Sequence, residues 1–116
     1  MAAEGQDFKM TAGDTRVIKI AVTTTSGAAV DLSGATARWR LARSVRGSAL
    51  VQKSTASGIS IDEPTGIVTV TIAAADTEGF KPGLYYHELE IVDGGGAVST
   101  VTTGKVTMTG ALIPAA

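Results

Sequence analysis

The chain has 116 residues, 44% of them hydrophobic and 18% charged, with no cysteine, one histidine and a formal net charge of −1. That length and apolar content fit one compact domain with a core of its own, and the lack of cysteine excludes a disulfide framework, a thiolate metal site and a cysteine nucleophile. The near-neutral balance provides no global field to gather nucleic acid or an anionic membrane.

Residues 1–7 carry acids where a secretory signal needs basic residues and then an apolar run, so no signal peptide is expected. Thr, Gly or a charge interrupts every apolar stretch, so no membrane span is expected either. Sixteen Thr, eleven Val and eight Ile stand against six Leu. Branching at Cβ stiffens χ1 and suits a pleated sheet better than a helix. Short runs of these residues, punctuated by Gly, Asp, Ser and Pro, predict an all-β protein of about seven strands.

A first strand covers residues 8–11 and ends in the turn Ala12-Gly13-Asp14-Thr15. Residues 16–24 follow, with Ile18, Ile20 and Val22 on one inner face. Reversals at Ser26-Gly27 and Asp31-Leu32-Ser33-Gly34 lead into residues 35–42, where Ala37, Trp39 and Leu41 alternate with Thr36, Arg38 and Arg40. Alternation with period two means one dry face and one wet face. A loop over residues 43–48 precedes a short strand near 49–53, and Ile59 and Ile61 mark another that closes at Asp62-Glu63-Pro64-Thr65-Gly66. Residues 67–72 point Val68, Val70 and Ile72 inward. Residues 74–79 lack alternation and predict one short helical turn, which Pro82-Gly83 ends. The strand over residues 84–92 buries Tyr85, Leu89 and Ile91, and Asp93-Gly94-Gly95-Gly96 is a hairpin signal. A last strand over residues 98–109 has Gly104 as its expected bulge.

A tryptophan on a central strand, a helical corner and then a tyrosine-bearing strand suit an immunoglobulin-like antiparallel β-sandwich without its disulfide. A small open barrel is the competing architecture. The organisation expected is an N-terminal extension over residues 1–7, a single sandwich over 8–109, and an apolar tail over 110–116.

Catalytic signals are thin. His87 is in phase with Tyr85 and Leu89, which predicts a core position, and no serine stands in a nucleophile elbow. Glu88 and Glu90 share the face opposite the apolar one, as solvated residues do. Asp14, Asp31 and Asp93 sit in turns, where Asx bonds to the backbone are their ordinary role. No loop gathers enough oxygen ligands for calcium, and the glycine triple lacks the lysine and helix of a phosphate loop, so neither a metal nor a cofactor is expected. The charge asymmetry is basic: Arg38, Arg40, Arg43 and Arg46 lie within nine residues. They form either a solvated outer face or a stripe that grips an anionic or acidic partner. Nucleic acid is disfavoured because no exposed aromatics interleave with the arginines. Leu112, Ile113 and Pro114 make an apolar tail that packs either on its own sheet or on a neighbour's edge.

Several short motifs follow one another in a set order. Phe8-x-Met-x-Ala-Gly-Asp-Thr15 is followed by Ile18-x-Ile20, by Gly27-x-x-Val30-Asp-Leu-Ser-Gly-Ala35 and by the Trp39 strand. Gly66-x-Val-x-Val70, Asp76-Thr77 and Pro82-Gly-Leu-Tyr-Tyr-His-Glu88 come next, and Val92-Asp93 and Ser99-Thr-Val-x-x-Gly104 close the series. This order resembles the small immunoglobulin-like modules of tailed bacteriophages, similar to the N-terminal domain of the baseplate upper protein. The resemblance implies a virion part that attaches receptor-binding or fibre proteins and has no catalytic residues. It also implies partners among other virion proteins in a symmetric assembly, and a chain made in the host cytoplasm. Baseplate proteins of that kind continue into trimerising and receptor-binding regions, whereas this sequence ends after the module, so receptor binding by such a region is not carried over. The expectation is therefore a non-enzymatic structural protein of a tail, baseplate or fibre-attachment region, with the first strand or the tail pairing with a neighbouring subunit. Alternatives are a capsid decoration protein and a carbohydrate-binding sandwich. The latter needs exposed aromatics, for which Tyr85, Tyr86, Phe8 and Phe80 are available besides Trp39.

Overall fold

A computed structural model describes residues 7–24, 27–28, 30–44 and 47–110. Eight strands and one helical turn follow in order: β1 (Phe8–Thr11), β2 (Arg16–Ala21), β3 (Thr36–Ala42), β4 (Val51–Ser54), β5 (Ile59–Asp62), β6 (Ile67–Ile72), α1 (Ala74–Thr77), β7 (Gly83–Val92) and β8 (Val98–Thr109). They form two sheets, of order β1-β8-β7-β3-β4 and β2-β6-β5. The pairings between these strands are antiparallel except that of β1 with β8, which is parallel and sets Phe8 beside Val106. The protein is an immunoglobulin-like β-sandwich, and the open barrel is set aside by the two separate sheets.

Alternation along each strand builds the core. Ile18, Ile20 and Val22 from the β2 segment join Val68, Val70 and Ile72 of β6 on one side, and Trp39 and Leu41 of β3 join Tyr85, Leu89 and Ile91 of β7 on the other, all buried. Three of the motif turns pack against distant parts of the chain. Gly13 N–H donates to Thr77 Oγ1 at 2.8 Å, which ties the β1–β2 turn to the helical corner. Leu32 N–H donates to the Glu63 carbonyl at 3.1 Å, and Val22 N–H to the Gly66 carbonyl at 2.9 Å. Gly66 adopts φ +69°, and a Cβ there would stand 2.5 Å from the Val30 carbonyl oxygen. Only glycine fits that position.

The corner between the sheets follows the immunoglobulin pattern. α1 starts at the end of β6, and the Asp76 carboxylate accepts from Ala73 N–H at 2.7 Å, satisfying one of the free donors of the first turn. Tyr85 Oη then donates to the Lys81 carbonyl at 2.8 Å, the tyrosine-corner bond that fixes the start of β7. In disulfide-linked immunoglobulin domains a cysteine stands two residues after that tyrosine. Here the position is His87.

One expectation is corrected. The bulge lies between Leu89 and Glu90 of β7, where Thr102 and Thr100 are their partners and Val101 is the extra residue, while Gly104 pairs in register with His87. Consecutive burial of Val101 and Thr102 is the reason, since a bulge lets two neighbouring side chains face the core. The first strand pairs with β8 of its own chain through one edge and is the edge strand of the five-stranded sheet, so its other edge is where the expected pairing with a neighbour would form.

Candidate functional site

The catalytic question turns on His87. It is 2% exposed, and its Nδ1 accepts a 2.9 Å hydrogen bond from the Trp39 indole Nε1–H. The Phe8 ring meets it edge-on, with centroids 5.2 Å apart. An imidazole held in this way is a packing element of the core, which fulfils the reading taken from its phase in the strand. Of the turn carboxylates, Asp31 accepts from Ser33 N–H at 2.9 Å and from the Ser33 hydroxyl at 2.6 Å. Those two bonds, the hydroxyl's first, hold the Asp31 carboxyl below its usual range. Asp93 accepts from Gly95 N–H and Ala97 N–H, each at 2.9 Å. Among the described residues no group of three His, Cys, Asp or Glu side chains is placed to hold a metal ion, and no helix is long and apolar enough to cross a membrane.

The outer face of the five-stranded sheet brings together residues that lie far apart in the chain. Arg38 faces Glu90, Arg40 faces Glu88, and Thr103 lies beyond Glu88; in the adjoining row Ala42, Tyr86 and Lys105 align. Arg38 donates to the Glu90 carboxylate. The arginines that looked like a basic stripe thus meet an equal number of acids, and the ladder of Arg38, Arg40, Glu88 and Glu90 carries no net charge. A grip on acidic partners loses its electrostatic basis on these two strands.

Arg43 does not extend the stripe. β3 ends at Ala42, alternation ends with it, and the Arg43 guanidinium lies 4.7 Å from the centroid of the Tyr85 ring in a cation–π contact. Arg46, Leu112, Ile113 and Pro114 lie outside the described residues.

A cleft of about 390 Å³ opens on this outer face. Arg40, Glu88 and Thr103 line it, as do Ala42, Tyr86 and Lys105, with Gly47 and Ala49 of the β3–β4 loop on one side and Asp7 on the other. Ala42, Ser44, Gly47 and Ala49 contribute small side chains to its lining. Asp7 is fixed there by accepting from Lys105 N–H at 2.8 Å, a donor on the flank of β8 where β1 begins. Sequence reading missed this site, because its residues come from three strands, the β3–β4 loop and the residue before β1. The available signal was the alternation that puts Tyr86 out of phase with the buried Tyr85. Of the other aromatics, Trp39 and Tyr85 are core residues, Phe8 packs on His87, and Phe80 stacks on Tyr85 at 5.6 Å.

The structural class is an immunoglobulin-like β-sandwich with a cleft on the outer face of its five-stranded sheet. No protein-family model matches the chain, and no curated protein matches its sequence. Among solved structures it is similar to CopC from Methylosinus trichosporium OB3b, at 12% identity and a TM-score of 0.50, covering 90% of this chain and 84% of that one. It is also similar to murine CRIg, at 9% identity and a TM-score of 0.50, covering 93% of this chain and 97% of that one. Identities this low show the shared sandwich fold.

Proposed function

We propose that the chain is a non-enzymatic structural module of a tailed phage or prophage particle, docking among other virion proteins in the tail, baseplate or fibre-attachment region. The observation that carries this reading is the ordered series of short motifs from Phe8 to Gly104. Its members support it further by where they lie: Gly13 bonds Thr77, Gly66 packs against Val30, and Tyr85 closes the corner through Lys81. These three members of the series are residues that hold the sandwich together. The single histidine is committed to the core, consistent with a protein that works by docking rather than by turnover.

Small interfaces suffice for such a part, because a symmetric particle repeats each contact many times. Quantitative mass spectrometry of purified particles from the source tests the proposal. Tens of copies or fewer, in a multiple of three or six, are expected of a tail or baseplate position. Hundreds of copies would make the chain a capsid decoration instead, and absence from particles would overturn the virion reading.

A further inference from the structure

We propose that the outer-face cleft is a binding site for a neutral saccharide, with Tyr86 as the platform for a sugar ring and Arg40, Glu88 and Lys105 as its hydrogen-bonding groups. The inference stands apart from the virion reading and rests on three observations. First, the volume of about 390 Å³ falls within the range of preformed small-ligand sites, roughly 300–1,000 Å³. Second, donors and acceptors converge there unused. Arg38 and Glu90 are bonded to each other, yet the equivalent pair one step along, Arg40 and Glu88, is not. Among the described residues the side chains of Arg40, Tyr86, Glu88 and Lys105 make no hydrogen bond or ion pair. Third, among the described residues the lining charges cancel, with Arg40 and Lys105 against Glu88 and Asp7.

Together these select a ligand class. An anion or a cation gains no net attraction from a balanced set of charges. A purely apolar ligand would strip water from Arg40 and Glu88 and return no hydrogen bonds, which is costly. A sugar ring carries no charge, offers vicinal hydroxyls that both donate and accept, and presents an apolar C–H face to an aromatic ring. The planar ends of Arg40 and Glu88 suit paired hydroxyls, as they suit other bidentate partners. Small residues at 42, 47 and 49 leave the ring room to lie flat.

The test is a titration of the full chain, isotopically labelled, followed by amide NMR. The probes are maltotriose, cellotriose, triacetylchitotriose and an array of neutral glycans, with glycine as a zwitterionic control. The expected result is a saturable shift with at least one saccharide, centred on Tyr86, Glu88 and Lys105. Tyr86→Ala and Arg40→Ala should each weaken it about tenfold, the equivalent of one lost hydrogen bond or ring contact, while the Trp39 indole resonance stays in place as evidence of an intact core. No binding across the whole set, binding that survives both substitutions, or stronger binding of glycine at the same residues would each overturn the proposal. Incorporation into particles is a separate readout, so either proposal can fail without the other.

Discussion

Trp39 and His87 form a hydrogen-bonded pair within the five-stranded sheet, and His87 stands where disulfide-linked immunoglobulin domains carry one of the two cysteines that pin their sheets together. A disulfide constrains the unfolded chain, whereas the indole–imidazole bond acts only in the folded state, so core packing has to supply the stability here. Trp39→Ala is expected to cost about 3–5 kcal/mol from the lost ring, measured by denaturant unfolding. If this variant kept full stability, Trp39 could not be the centre of the core. His87→Leu leaves the buried indole N–H without this acceptor and should cost about 1–3 kcal/mol. His87→Gln keeps an acceptor and should be milder, with particle incorporation intact. Loss of a measurable activity in a folded His87→Gln protein would argue for an enzyme. At Gly66 the constraint is steric: Gly66→Ala places a Cβ 2.5 Å from the Val30 oxygen at φ +69°. A loss of about 2 kcal/mol or more is expected, and a neutral result would mean that the β5–β6 turn relaxes freely.

At the scale of elements, the helical corner and the tyrosine behind it decide how β6 hands over to β7. Tyr85→Phe removes only the bond to Lys81 and should cost about 1 kcal/mol, seen as a lower denaturation midpoint with an unchanged slope. Asp76 caps α1 and pairs with Lys53 at 2.7 Å. Burial pushes its carboxyl up, but the Lys53 hydrogen bond, the Ala73 N–H and the Lys53 charge together outweigh burial and hold it below the usual range. A carboxyl lowered in the folded state stabilises the fold above its unfolded value, about 3.9, and loses that contribution as the pH falls through the folded value. Asp76→Ala should therefore lower stability at neutral pH by about 1 kcal/mol and flatten the acid side of the stability curve. An acid side that stays equally steep would place its cause in other carboxylates. The parallel β1–β8 pairing is an element-scale feature as well: it brings Phe8 onto His87 and Asp7 to the rim of the cleft.

For the whole molecule, the two faces of the sandwich differ in what they offer. The five-stranded sheet carries a neutral ladder beside a cleft, and Leu84, on its outer face, is 44% exposed. Arg38→Glu sets like charges opposite each other at Glu90 but lies on the surface, so its effect on stability should stay below about 1 kcal/mol. A marked fall in particle incorporation by the stable variant would identify this face as the docking surface. Unchanged incorporation would move docking to another face or to the chain termini.

How much of this was legible beforehand follows from the range of the forces involved. Alternation in residues 36–42 and 67–72 and the glycine and aspartate turns act locally, so strand positions, inner faces and the single helical corner could be read from the chain. Trp39, the corner and Tyr85 appear in the right order, which was enough for the sandwich class. The partner of each charged strand was not legible. Arg38 and Arg40 read as a basic stripe because Glu88 and Glu90 lie about fifty residues away, and only the β3–β7 register neutralises them. The bulge could not be placed either, because the burial of both Val101 and Thr102 is a property of the assembled sandwich. Likewise the cleft exists only once β3, β7 and β8 align and the start of β1 lies beside β8. The amino-acid sequence by itself determined where the strands lie and which side of each is dry, since backbone sterics and side-chain period are local properties. The tertiary structure decided which charges cancel, what His87 bonds to and where a ligand can enter, since each of these depends on register between strands distant in the chain.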